Sequence, residues 1–301
     1  MKATKIYVII IFTLFFSCNT KKQESKENRK QVITVSILPQ KTFIGKIAGN
    51  DFKVNVLLPP GESPATFTLL PSQLKDIAHS KIWFRVGHIG FEYSWKEKIE
   101  QANRQMKVID LSNGLDLITA TTIASTEAKA EKGINPHIWM SPPLVKQMAK
   151  RIADELSVLN PEKGTVYNEN YLNFATEIDQ LDGKIRSALK DYQGRKFIMF
   201  HPSLSYFARE YGLNEYSLEP GGKEPTPQRM TDLVKLANEE NIRVIYIQSD
   251  LDREQARVFA EEINGKIVEM WPLNPEWAEN LLKITYTLID NFDDEIKLTH
   301  N

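Results

Sequence analysis

Cysteine is almost missing from this chain: Cys18 is the only one in 301 residues. One thiol cannot build a disulfide framework, so the folded part must rely on its cores. If Cys18 is itself modified, no thiolate is left to bind a metal. An excess of charge of one sign is missing as well. Charged residues are 26% of the chain, the formal net charge is -1, and acids and bases are interspersed. Without a basic stripe there is no electrostatic footprint for nucleic acid, and no nucleic-acid partner is expected. No Gly-x-x-x-x-Gly-Lys-Ser/Thr loop, no His-Glu-x-x-His pair and no activated nucleophile can be found, so no enzyme is expected. Long hydrophobic runs are absent except over residues 6–16. That run is too short for a comfortable membrane span and has the length of the apolar core of a secretory signal.

What stands around that run is informative. Lys2 and Lys5 precede it, and Ser17-Cys18 follows it. A small residue and then cysteine at the end of such a core resembles a bacterial lipoprotein cleavage and lipidation site, although Phe15 occupies the place where leucine is most common. The plainer alternative makes Cys18 an incidental thiol in a discarded signal. On the lipoprotein reading, residues 1–18 are the signal with Cys18 lipidated, and the polar, charged residues 19–30 are a flexible tether. The protein is then extracytoplasmic, periplasmic or at the cell surface, and held to a membrane by its lipid.

From residue 31 onward, apolar β-branched runs alternate with helical spacing. Strands are expected over residues 32–38, 54–58, 82–86 and 107–111, with helices over 41–49, 71–80, 91–102 and 141–159. A second alternation follows residue 194, with strands over 197–200, 244–248 and 266–269, an extended segment over 214–218, and helices over 203–211, 227–239, 253–264 and 274–292. Between the two lies one long helical pattern, in which Tyr167, Tyr171, Phe174, Ile178, Leu181, Ile185 and Leu189 recur at three- and four-residue steps. A helix of about 30 residues spans about 45 Å, enough to run along two lobes. The alternation argues for parallel α/β sheets. The division expected is an α/β lobe over 31–159, a linking helix over 160–193 and a second α/β lobe over 194–301.

Two histidines stand in matching settings: His137 in Asn-Pro-His-Ile-Trp and His201 in Met-Phe-His-Pro-Ser-Leu-Ser-Tyr-Phe. His201 directly follows an apolar strand, and residues at the carboxyl ends of parallel strands point into the crevice where open α/β sheets bind ligands. One imidazole from each side of a crevice would be half of a metal site. Ordinary core or capping histidines remain the alternative. His88, in Val-Gly-His-Ile-Gly after the third strand, is a candidate additional ligand, as is Asp250 after the strand ending near Gln248. Glu62 and Asp252 are weaker candidates of the same kind. Glu92 is expected to cap or pair at the start of its helix, and His79 and His300 to lie on the surface.

Taken in order, these segments resemble the metal-binding receptors of zinc and manganese ABC importers. The matching pieces are Val-Ser-Ile-Leu-Pro-Gln at 35–40, Lys-Ile-Ala-Gly-Asn-Asp-Phe-Lys-Val at 46–54, Leu-Pro-Pro-Gly-Glu-Ser-Pro at 58–64 and Leu-Pro-Ser-Gln-Leu at 70–74. Asn-Pro-His-Ile-Trp at 135–139, His-Pro-Ser-Leu-Ser-Tyr-Phe-Ala-Arg-Glu-Tyr-Gly-Leu at 201–213 and Gly-Lys-Glu-Pro-Thr-Pro at 222–227 continue the match. The resemblance implies two α/β lobes joined by a rigid helix, with the metal held in the cleft between them. It implies three histidines and one carboxylate as ligands, of which His137 and His201 match two. Ala65 stands where the family places a third histidine, and Trp271 where it places the aspartate. Alanine offers no lone pair and an indole nitrogen only donates. A metal-gathering loop rich in histidine is also missing ahead of His137.

The function this implies is capture of Zn2+, or alternatively Mn2+, and delivery to an ABC permease and its ATPase, by a monomer. The alternative, motivated by Ala65 and Trp271, is a receptor-like lipoprotein that has lost tight metal binding and acts as an adhesion or interaction module, with Trp271 filling the cleft or stacking on an organic ligand.

Overall fold

The computed structural model describes residues 30–64, 67–119, 133–219, 224–248 and 253–299. The first α/β alternation comprises β1 (Gln31–Val35), α1 (Leu38–Ala48), β2 (Phe52–Val56), α2 (Pro71–Ile77), β3 (Ser80–Arg85), α3 (Gly90–Ala102) and β4 (Lys107–Asp110). Two helices follow, α4 (Pro142–Leu159) and α5 (Gly164–Ala188). The second alternation runs through β5 (Lys196–Met199), α6 (Ser205–Tyr211), β6 (Asn214–Ser217), α7 (Pro227–Glu239), β7 (Val244–Ile247), α8 (Arg253–Glu262), β8 (Lys266–Glu269) and α9 (Trp277–Thr299). The strands form two four-stranded sheets, ordered β2-β1-β3-β4 and β6-β5-β7-β8. Every pairing within them is parallel. The fold is therefore α/β, with two similarly wound parallel sheets. No described helix is long and apolar enough to cross a membrane.

The central strands show why parallel sheets form. Ile82, Trp83 and Phe84 of β3 are all buried, and so is every residue of β7. A strand covered on both faces reads as a continuous apolar run rather than an alternation. Helix starts follow local chemistry too. Pro142 and Pro143 open α4, and the Ser141 side chain accepts from Leu144 N. Thr226 does the same for Arg229 N ahead of α7. A side-chain oxygen there satisfies one of the helix donors that lack an internal partner.

The long helical pattern resolves into three pieces. A 3-10 turn at Pro161–Lys163 and another at Lys190–Tyr192 flank α5, which is 25 residues and so about 38 Å long. Its buried stripe is Tyr167, Phe174, Ile178, Leu181 and Ile185.

The closing helix reaches the first alternation with its start, while its far end is held by the second, where Arg195 Nη2 donates to Glu295 Oε2 at 2.9 Å. α9 begins at Trp277 and runs to Thr299, and its first turn packs on elements of the first alternation. The Trp277 ring meets Phe43 of α1 edge-on at 5.3 Å and Phe174 of α5 at 6.4 Å. Thr42 Oγ1 donates to Pro275 O at 2.6 Å. One continuous apolar core accordingly runs from the first sheet through α4 and α5 to Phe197, Tyr246 and Leu288. A second, smaller core lies between β5, β7, α7 and α8.

At the carboxyl end of β3 the chain turns through Gly87, with φ +109. A Cβ there would stand 2.4 Å from Ser112 Oγ, so both the left-handed backbone and the close approach require glycine. Glu92 of α3 lies directly beneath this turn. It is fully buried, and it accepts from Val86 N at 2.7 Å and Gly87 N at 2.8 Å. Arg85 Nε stands 3.3 Å from Glu92 and 3.7 Å from Asp110 Oδ2. Glu92 thus pairs locally, but as a buried brace for the ends of β3 and β4.

Candidate metal centre

The second sheet presents its first strand, β5, at the point where strand order reverses, and His201 follows that strand by two residues. A side chain leaving the sheet there faces the crevice at the switch point. His137 reaches the same place from the first half. It stands just before a 3-10 turn at Ile138–Met140 that leads into α4. The two imidazoles touch edge to face, with centroids 5.3 Å apart and planes at 73°. On its other side His137 packs against Trp139, centroids 5.1 Å apart. His137 is 5% exposed, and His201 is partly buried.

Each ring is held at Nδ1. His137 Nδ1 lies 2.8 Å from Asn135 Oδ1, which also accepts from His137 N at 2.9 Å. His201 Nδ1 lies 2.9 Å from Glu219 Oε2. Burial, and then the neighbouring His201 ring, push the His137 imidazole well below its ordinary range, which keeps it neutral. A neutral imidazole with one nitrogen bonded is the form that ligates metals.

Behind the pair runs a polar chain. Asn135 Nδ2 donates to Pro202 O and to Ser205 Oγ, both at 3.0 Å. Ser205 Oγ in turn donates to Glu215, whose other oxygen accepts from Leu204 N at 2.8 Å. Burial raises the Glu215 carboxyl to about 7, opposed by Ser205, Leu204 N and His201.

Trp139 joins the halves beside the pair. Its Nε1 donates to Pro272 O at 2.8 Å, and its carbonyl accepts from Trp277 Nε1 at 2.7 Å. Trp271 is the next residue before Pro272, and its carbonyl accepts from Asn280 Nδ2 at 2.8 Å. Its ring is 62% exposed, so it does not fill a buried cleft as the sequence suggested.

His88 does not join the pair. Its Nδ1 lies 2.5 Å from Tyr93 OH, at the end of β3, where burial lowers its pKa and Asp110 opposes that shift. Among the described residues, no three His, Cys, Asp or Glu side chains stand together as a metal cluster. Glu62 and His79 are exposed, as surface residues. Cys18, Ala65, Asp250, Asp252 and His300 lie outside the described residues, as do Gly222, Lys223 and residues 120–132.

Asn135 and Glu219 carried no assignment from sequence. A signal for Asn135 existed, since an Asn side chain commonly accepts from the amide two residues on. Glu219 is 18 residues from His201, with no motif linking them. The parallel register Met199↔Ser217 supplies the link: two residues further along each strand, His201 and Glu219 emerge side by side.

Known proteins share this fold. The family described as ZnuA, "Zinc-uptake complex component A periplasmic", matches residues 33–294. The high-affinity zinc uptake system protein ZnuA of Bacillus subtilis is 24% identical over 253 residues, covering 81% of this chain and 78% of that protein. A crystal structure of ZnuA superposes with a TM-score of 0.80 at 33% identity, over 87% of this chain and 98% of that one. A deletion mutant of ZnuA with zinc bound matches at the same TM-score and identity. The periplasmic zinc-binding protein TroA of Treponema pallidum, at 17% identity and TM-score 0.74, shares the fold. With the match running across nearly all of both sheets, the chain belongs to the ZnuA family of periplasmic zinc-uptake components.

Proposed function

We propose that this chain is the extracytoplasmic receptor of a metal ABC importer, taking up Zn2+ between His137 and His201 and handing it to a permease and its ATPase. The observation that carries this reading is the contact of the two neutral-capable imidazoles, 5.3 Å apart, each tied at Nδ1. Imidazole nitrogen suits zinc, and zinc outranks manganese at a given nitrogen site, so Zn2+ is the preferred cargo and Mn2+ the weaker one. The remaining positions are open to water or to residues outside the described ones, of which Asp250 is the candidate carboxylate. The role involves capture and release, with no catalysis.

The test is calorimetric titration of metal-stripped protein with zinc. One ion per chain is expected, with manganese binding more weakly. The combined changes His137→Ala and His201→Ala are expected to abolish the binding. A double variant that still titrates like the wild type would end the metal reading.

The same proposal includes a signal over residues 1–18 with a lipid anchor at Cys18, and a monomeric receptor. Cys18→Ser is expected to move the protein from the membrane fraction to the soluble one, read by fractionation and blotting. Persistence in the membrane fraction would count against the anchor.

A further inference from the structure

We propose that Asn135 is the positioning residue of the histidine pair: it holds His137 with Nδ1 protonated and Nε2 bare, and through Pro202 it sets the span to His201. This rests on the metal reading and adds to it which nitrogen binds and what spaces the two rings.

The donor and acceptor pattern around Asn135 leaves one solution. Pro202 O can only accept, so the amide nitrogen of Asn135 must face it. His137 N can only donate, so Oδ1 must face His137. The reversed amide would set oxygen against Pro202 O and N–H against the His137 amide. With Oδ1 fixed toward the ring, His137 Nδ1 at 2.8 Å must carry a proton. The lone pair is then on Nε2. For His201 the carboxylate of Glu219 likewise accepts from Nδ1 at 2.9 Å, so the nitrogen left to face an ion is again Nε2. Both rings therefore turn Nε2 toward the metal.

Asn135 is also a tether. It is 7% exposed, and its side chain uses its full capacity, two bonds accepted and two donated. Its amide donates to Ile118 O at 2.9 Å, and its carbonyl accepts from Tyr206 OH at 2.8 Å. The residue thus grips, at once, the His137 ring and the Pro202–Ser205 segment that directly follows His201. Movement of either loop has to break bonds inside a buried site, where unpaired polar groups are costly. A pair set at a fixed span before the ion arrives loses less on binding than one that must be assembled.

The test combines spectroscopy and titration. In metal-free wild type with 15N-labelled imidazoles, the His137 signals, assigned by their loss in His137→Ala, are expected to show a protonated Nδ1 and a bare Nε2. A protonated Nε2 there would overturn the inference without any further variant. In Asn135→Ala the His137 signals are expected to show mixed tautomers, and zinc affinity to fall by about 10- to 100-fold, the usual cost of losing a partner that orients a ligand. An unchanged zinc affinity in folded Asn135→Ala, where His137→Ala loses binding, overturns the inference and leaves the metal reading standing. Unchanged affinity in His137→Ala would instead sink the metal reading itself.

Discussion

Trp139→Ala is expected to remove about 3–5 kcal/mol of folding stability, the range for emptying a buried aromatic site. Trp139 is 1% exposed and stands between His137 and the segment that follows β8. Two indoles are coupled there: Trp139 Nε1 donates to Pro272 O, and Trp277 Nε1 donates to Trp139 O. Truncation leaves a cavity and takes the donor from Pro272 O. Trp139→Phe separates the two losses. It keeps most of the volume and removes only the donor, so about 1–3 kcal/mol is expected. Urea unfolding measures both, as midpoint shifts at unchanged slope. Zinc affinity should fall with the alanine variant, because His137 loses the wall against which it is set. An alanine variant within about 1 kcal/mol of wild type would show that the halves are held together elsewhere.

Most of this architecture could be read from the sequence because each element signals itself locally. The buried strand β7 is an unbroken apolar run, β3 carries Ile82-Trp83-Phe84 at its centre, and α5 has its stripe at helical steps. α7 and β8 fall at the residues expected. What stays hidden lies where tertiary contacts decide. The long helix expected after Asn160 is present as α5, and its apolar steps do not announce the 3-10 turn at each end. α9 follows β8 in the second alternation, and what no local pattern could announce is that Trp277 at its start leans on Phe43 and Phe174.

The site divides in the same way. His201 was legible because it ends a strand, and His137 because its motif stands beside a helix start. Their contact is a matter of how the halves meet. His88 ends a strand just as His201 does, on the other sheet, and there it meets Tyr93 instead. The crevice rule finds residues at strand ends and is silent on which ends converge. Trp271 stands after β8, and its exposure is set by tertiary packing that its position along the chain does not reveal. Glu219 became visible only through strand register, which a sequence carries weakly when the strands are four residues long.

Glu92 should make the stability of this protein fall as pH rises through the neutral range. Its carboxyl is buried beneath the turn after β3, and burial pushes it from 4.5 to about 7. The Ser36 hydroxyl, Arg85 and the Val86 and Gly87 amides oppose that shift without cancelling it. A folded pKa above the unfolded one means that the native state keeps its proton longer. Below pH 4.5 both states are largely protonated, and the contribution is fully present. As pH rises the unfolded chain ionises first, and stability is lost until the folded carboxyl has also titrated. The span from 4.5 to about 7 corresponds to about 3 kcal/mol. Glu92→Gln removes the titration. It should also cost about 1–3 kcal/mol at every pH, because one of the two amides loses its acceptor oxygen. The expected result is therefore a difference in unfolding free energy, wild type minus variant, that shrinks by about 3 kcal/mol between pH 4.5 and about pH 8. Two parallel profiles would mean that Glu92 titrates alike in the folded and unfolded chain, and a difference that grows with pH would mean that Arg85 and the two amides outweigh its burial.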